Sequence, residues 1–193
     1  PMATKMMFGV LHPGTGRAWF DSLRLEIVSS DVAVGPRDVI VPNGSFEFGR
    51  GNAPTGWYTG GQGYEIALDS TQHVDGRASL RSRWIDSMPW DSSTRKFGVG
   101  TLSAQHRLAL GRRLRLSGWI RTQRVDTGYA GLWIRVDGAD RYLELDNMKG
   151  IGPRGTTPWT RYSIEVDVDP GATGVTFGVI HPGTGTAWFD SVG

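Results

Sequence analysis

Apolar and polar residues alternate with a period of two in eight separate stretches: "YEIALDS" (64–70), "ASLRSRWI" (78–85), "RLRLSGWIRT" (113–122), "AGLWIRVDG" (130–138), "RYLELDNM" (141–148), "RYSIEVDVD" (161–169), "GVTFGVI" (174–180) and "GTAWFDS" (185–191). Successive side chains of a strand point to opposite faces, so this alternation predicts strands with one face on a core. Gly-rich turns separate the stretches. The expected fold is therefore all-β, an antiparallel β-sandwich or jelly roll. The best helical candidate is "LSAQHRLAL" (102–110), whose apolar residues fit a strand nearly as well.

The same alternation sorts faces. In 114–121, Leu114, Leu116, Gly118 and Ile120 share one face, and Arg115, Ser117, Trp119 and Arg121 the other. In 132–137, Leu132, Ile134 and Val136 oppose Trp133, Arg135 and Asp137. In 142–147, Leu143, Leu145 and Asn147 oppose Tyr142, Glu144 and Asp146. An outer face carrying Trp and Arg side by side is flat, amphipathic and rich in donors, which suits binding better than mere solvation. Trp119, Trp133, Tyr142 and Trp188 are the platform candidates, with Trp90 and Tyr64 at the sheet edge behind them. Phe46, Trp57 and Trp159 sit beside turns and are expected to plug the ends of the sandwich. Trp84, Phe177 and Phe189 share the aliphatic faces and are expected in the core.

The chain carries one hairpin sequence twice. "FGVLHPGTGRAWFDS" (8–22) returns as "FGVIHPGTGTAWFDS" (177–191), and residues 1–24 agree with 170–193 at 16 of 24 positions. No second copy of the middle exists, so the repeat is about 169 residues long. The expected division is residues 1–27 as the closing strands of a preceding or strand-exchanged repeat, 28–38 as linker, and 39–193 as one domain. Residues 1–27 hold an alternating apolar set that needs a partner, which predicts self-association or a homo-oligomeric array through them.

Composition removes several function classes. There is no Cys, so disulfides and thiolate metal sites are excluded. Lys and Arg number 21 against 19 Asp and Glu, a balance that does not suggest nucleic acid as a partner. No apolar run approaches 18 residues and no signal-peptide pattern opens the chain, so no membrane association is expected. Nucleophile elbows, phosphate loops, dinucleotide fingerprints and zinc-protease motifs are missing. Glu144 and Asp146 lie roughly 6.6 Å apart by strand rise, but a glycosidase pair also needs one carboxyl with a raised pKa, which an open sheet face does not provide. A non-enzyme is expected. His12 and His181 occupy equivalent places before a proline and read as turn residues.

"NGSFE" (43–47), "GWY" (56–58), "LRLSGWIRT", "AGLWIRVDG", "LDNM", "GTTPWTRYSIEVDV" and the closing "FGVIHPGTGTAWFDS" together resemble the galactose-binding-like jelly rolls. These include carbohydrate-binding modules of glycanases, and the resemblance is nearer to modules found beside bacterial tail-specific-type proteases and esterase-like proteins. It covers about residues 40–192. It implies a non-catalytic carbohydrate-binding module for a poly- or oligosaccharide, in an extracellular or periplasmic bacterial setting. It also implies a structural Ca²⁺ held by Glu47 and Asp190, and a last strand that lies beside the first. Sugar recognition calls for aromatic planes and planar polar groups. The candidate ligand set is therefore Trp119, Arg121, Trp133, Arg135, Tyr142, Asp146, Asn147 and Trp188, with Asn147 in the opposite phase unless a bulge turns it. The alternative is a docking module of a multidomain surface protein, possibly assembling by strand exchange.

Overall fold

The computed structural model describes residues 41–87, 90, 93, 96–104 and 110–193. Among the described residues there are twelve strands: β1 (Gly49–Arg50), β2 (Ala53–Pro54), β3 (Tyr58–Gly60), β4 (Tyr64–Asp69), β5 (Ser79–Trp84), β6 (Gly98–Ala104), β7 (Arg113–Val125), β8 (Gly131–Asp137), β9 (Tyr142–Asp146), β10 (Gly155–Asp167), β11 (Gly174–His181) and β12 (Thr186–Asp190). Among the described residues there is no α-helix. All eight alternating stretches are strands, and β6 covers the start of the helical candidate. The calls on residues 1–27 and 28–38, and the self-association assigned to them, lie outside the described residues.

Two five-stranded antiparallel sheets make the sandwich, one ordered β10-β7-β12-β5-β4 and the other β3-β6-β11-β8-β9. The core between them is built from the apolar phase of each strand. Leu80, Ile120, Leu132, Val136, Val179 and Phe189 are buried, each contributing roughly 1.5–3 kcal/mol. Phe46 and Trp57 close one end, their rings 4.9 Å apart, with the Trp57 indole N–H donating to the carbonyls of Pro42 and Asn43. Phe46 and Trp57 thus plug the sandwich as expected. Asn43, in the left-handed region at φ 53°, accepts from the Phe48 N–H and donates to the Phe48 and Thr55 carbonyls. That pattern explains an Asn at the start of the motif, since its short amide both tolerates this backbone and ties the turn.

The last strand differs from expectation. β12 does not lie at the seam with the first strand but between β7 and β5, and β11 lies between β6 and β8. One hairpin therefore supplies the central strand of both sheets. The seam with the start of the domain is made after β12 ends, where the Val192 N–H donates to the Gly44 carbonyl at 2.9 Å.

Two side chains also change place. Tyr64, expected in an edge loop, is buried in β4, and its hydroxyl bonds both the carbonyl and the N–H of Gly183. His181 is buried completely, with Nδ1 at 3.2 Å from Ser82 Oγ and Nε2 at 3.0 Å from the Thr184 carbonyl. Desolvation pushes its pKa down to about 4, partly opposed by these two contacts. A neutral, hydrogen-bonded imidazole filling the turn is a structural role.

Candidate ligand-binding face

The predicted ligand set does not form one surface. Trp119, Arg121 and Trp188 stand on the outer face of the β10-β7-β12-β5-β4 sheet, where Trp188 pairs with Arg121 and Asp190 with Trp119. Trp133 and Arg135 stand on the outer face of the other sheet, on β8. The two groups face opposite ways, because a sandwich has two outer faces and strand phase alone does not say to which sheet a strand belongs.

Register corrects a second assignment. Leu145 lies opposite Arg135, whereas Glu144 lies opposite Val136 and Asp146 opposite Ile134. Cross-strand partners share a face, so Glu144 and Asp146 are on the core side of the sheet rather than beside Trp133. Asp146 Oδ1 instead accepts the Met148 N–H at 2.9 Å, and Asn147 Oδ1 accepts the Lys149 N–H at 3.2 Å, so both shape the turn after β9. A register shift between Val136 and Asp137 brings Tyr142 opposite Asp137, so Tyr142 alone of its predicted trio joins the outer face, 60% exposed.

The first face is closed by its own side chains. Trp188 is only 7% exposed: its indole N–H donates to Asp69 Oδ2 at 2.9 Å, and the Arg121 guanidinium lies 5.9 Å from its ring. Arg81 links Asp69 to Glu65, and Arg83 pairs with Glu65 as well. Burial pushes the Asp69 carboxyl up, but hydrogen bonds from Thr71 and Trp188 and the charge of Arg81 outweigh it and hold the group below the usual carboxylate range. Toward β10, Arg113 and Arg115 pair with Asp167 and Glu165. Most polar groups on this face are paired with one another, although Arg81 Nε and Arg121 Nε are buried without a hydrogen-bond partner. Asp69 carried no sequence signal beyond its place at a strand end.

The second face is open. One register row runs Tyr58, Thr101, Gly178, Trp133 across β3, β6, β11 and β8. Three strand spacings put the two aromatic positions about 14 Å apart. Between them the floor has no bulk. Gly178 has φ 156°, and a Cβ there would meet the Gly100 carbonyl oxygen at 1.9 Å, so no side chain is accommodated. The next row adds Ser103, Thr176, Arg135 and Leu145. Two aromatic walls thus flank a trough floored by hydroxyls and a glycine.

At the β3 end the trough deepens into a cavity of about 320 Å³ lined by Tyr58, Gly60, Gly61, Gln62, Lys96, Phe97 and Val99. Tyr58 is 70% exposed, and Phe97 42%. At the other end the Trp133 indole nitrogen is buried without a hydrogen-bond partner, a donor with unused capacity. Arg135 beside it is ion-paired with Asp137, its Nη2 donating to Asp137 Oδ2 at 3.3 Å and its Nε 2.8 Å from Oδ1. Tyr58 was missed because β3 is three residues long, too short for alternation to register.

Glu47 and Asp190 do converge on one loop, yet their donors are N–H groups. Glu47 Oε1 accepts from Arg77 and Ala78, Asp190 Oδ2 from Val74 and Asp75, and Asp190 Oδ1 from Ser191. A cation competes with such donors for the same lone pairs, so this arrangement does not fit Ca²⁺. Among the described residues no group of three or more His, Asp or Glu gathers to hold a metal. The Arg77 N–H above all, with that of Ala78 and the Arg77 charge, keeps the Glu47 carboxyl low against the opposing effect of burial. Desolvation raises Asp190 despite its three N–H donors.

No family model matches the chain. A curated relative, the uncharacterized HTH-type transcriptional regulator YbfP of Bacillus subtilis (strain 168), is 34% identical over 143 residues, 71% of this chain and 46% of the relative. The chain thus spans about half the length of the curated relative it matches. Among solved structures, the CBM22-1 xylan-binding domain of Paenibacillus barcinonensis Xyn10C superposes with a TM-score of 0.55 at 12% identity, covering 77% of this chain and 88% of that domain. A cyclase from Fischerella sp. TAU superposes with a TM-score of 0.54 at 12% identity, covering 80% of this chain and 94% of the cyclase. At such identities the likeness is one of fold. The β-sandwich jelly roll is shared by a binding module and an enzyme, so function has to be argued from the site.

Proposed function

We propose that residues 39–193 form a non-catalytic carbohydrate-binding module whose ligand lies across the outer face of the β3-β6-β11-β8-β9 sheet. The observation that carries this reading is the row Tyr58, Thr101, Gly178, Trp133, in which two aromatic residues flank a floor of hydroxyls and bare backbone. A pyranose offers an apolar face to an aromatic ring and hydroxyls to Thr176, Thr101 and Arg135. The trough is open along its length, which suits a glycan chain. The fold likeness to a domain described as xylan-binding supports the class of ligand. Affinity electrophoresis against xylan and other soluble polysaccharides tests it: retardation that Tyr58→Ala and Trp133→Ala both weaken is expected. A folded protein that no polysaccharide retards overturns it.

A second reading rests on the relative named as an HTH-type regulator. The described residues hold no α-helix, so the likeness supports a β-sandwich that serves as the sensing or docking half of a longer protein. There the same face would take a soluble oligosaccharide or lie against a neighbouring domain. Binding to short oligosaccharides but not to polymers favours this reading.

A further inference from the structure

The arginines on the outer face of the β10-β7-β12-β5-β4 sheet fall into two groups. Arg81, Arg83, Arg113 and Arg115 are ion-paired with Glu65, Asp69, Glu165 or Asp167. Arg121 and Arg161 are not: among the described residues Arg121 has no carboxylate partner, and Arg161 meets only a hydroxyl, its Nη2 3.3 Å from Ser117 Oγ. The contrast is sharpest within one register row, where Trp188 stands between Arg81 and Arg121. Arg81 reaches Glu65 and Asp69. Arg121, on the other side, lies 5.9 Å from the Trp188 ring with its Nε buried and unpartnered. Asp190, opposite Trp119, does not compensate it, being fully buried with its oxygens taken by the N–H groups of Val74, Asp75 and Ser191. A half-buried cation with spare donors is therefore held in place by an aromatic ring and left without its anion.

Aromatic residues surround this cation. Trp119 precedes Arg121 by two residues on β7, and Arg161 is the cross-strand partner of Trp119 on β10. β10 is irregular here: Thr157 pairs with Thr122 and Thr160 with Ile120, so Pro158 and Trp159 together face Arg121. Thr160 shares the core side with Ile120, which turns Trp159 outward beside Arg121. Trp159 is thus part of this face and does not plug an end of the sandwich. Trp119 and Trp159 are both half-buried and show part of each ring to solvent.

We infer that Trp119, Arg121, Trp159 and Arg161 form a second binding site, for a short oligosaccharide of sugars that carry carboxylates. The apolar face of a pyranose stacks on an indole. A carboxylate supplies the anion that Arg121 lacks, and the planar guanidinium matches it in a bidentate pair. Because Arg121 already rests on Trp188, little side-chain freedom is lost on binding. Arg161, exposed across from Trp119, takes the carboxylate of a neighbouring sugar. An uncharged sugar leaves Arg121 without an acceptor and is refused on that account. The trough on the opposite sheet differs in this respect, since its cations Arg135 and Lys96 are paired with Asp137 and Asp86. The second site does not rest on the reading of the trough.

Titration calorimetry of the full chain with trigalacturonate and with its methyl ester, which keeps the rings and removes the charges, tests the site. Binding of the acid and not of the ester is expected. Arg121→Gln and Arg161→Gln should each weaken it about tenfold or more. Arg161 is exposed, so that variant keeps the test open even where Arg121→Gln fails to fold. Retardation by uncharged polysaccharides should be the same in both variants as in the wild type. No binding of the acid, equal binding of the ester, or binding that neither substitution weakens overturns the inference. So does a loss of acid binding in Trp133→Ala but not in the arginine variants, which would place the anion in the trough. A chain that no uncharged polysaccharide retards, yet binds trigalacturonate through Arg121, removes the trough reading and leaves the second site standing.

Discussion

The indole N–H of Trp188 donates to Asp69 Oδ2 at 2.9 Å, joining β12 to β4 over the intervening strand β5. Both residues are buried on what is formally an outer face, 7% exposed each, because Arg81 and Arg121 lie against them. Asp69→Ala leaves the indole N–H, the Thr71 N–H and Arg81 without their acceptor. The expected cost is about 3 kcal/mol, read from chemical denaturation. Polysaccharide binding should be unchanged, since this face points away from the trough.

The low Asp69 pKa sets a pH dependence with a definite sign. A carboxylate held below its unfolded value contributes stability that is full above the unfolded pKa, near 3.8, and is lost as pH falls through the folded value. Asp69→Asn should therefore flatten the melting temperature against pH below about 4.

His181 acts at higher pH. Its pKa is depressed to about 4 from 6.5, so on acidification the unfolded chain takes up a proton that the folded one refuses. Stability is full above about 6.5 and falls as pH drops toward 4, by about 2 kcal/mol at pH 5. Replacing His181 with Gln should remove this slope between pH 6.5 and 5 in a melting series, at some cost in stability at neutral pH.

The clamp on the 74–78 loop predicts the response to chelator. Glu47→Ala frees the N–H groups of Arg77 and Ala78 and should cost about 1–2 kcal/mol. EDTA should leave the melting temperature of the wild type unchanged. A fall on adding EDTA would restore Ca²⁺ at Glu47 and Asp190.

The two outer faces are separable by mutation. Trp133→Ala and Tyr58→Ala should each weaken polysaccharide binding about tenfold or more, the loss of one aromatic platform. Trp119→Ala should leave it unchanged. Titration calorimetry with a soluble polysaccharide checks both, and the reverse result would move the site to the Trp188 face.

The strands themselves were legible in the chain, because a half-buried strand imposes a period of two on its own residues and that constraint is local. So were the core positions Phe177 and Phe189, the plugs Phe46 and Trp57, and the repeat of the hairpin. The short strand β3, with Tyr58, left no period to read. What the sequence could not carry was pairing. That Trp119 and Trp133 stand on opposite sides of the molecule, that Leu145 rather than Asp146 faces the trough beside Arg135, and that β12 is central rather than terminal are all facts about which strand lies next to which, and in what register. Pairing is fixed by contacts between residues far apart in the chain, and a one-residue change of register turns every side chain to the other face. Only the tertiary structure decides it.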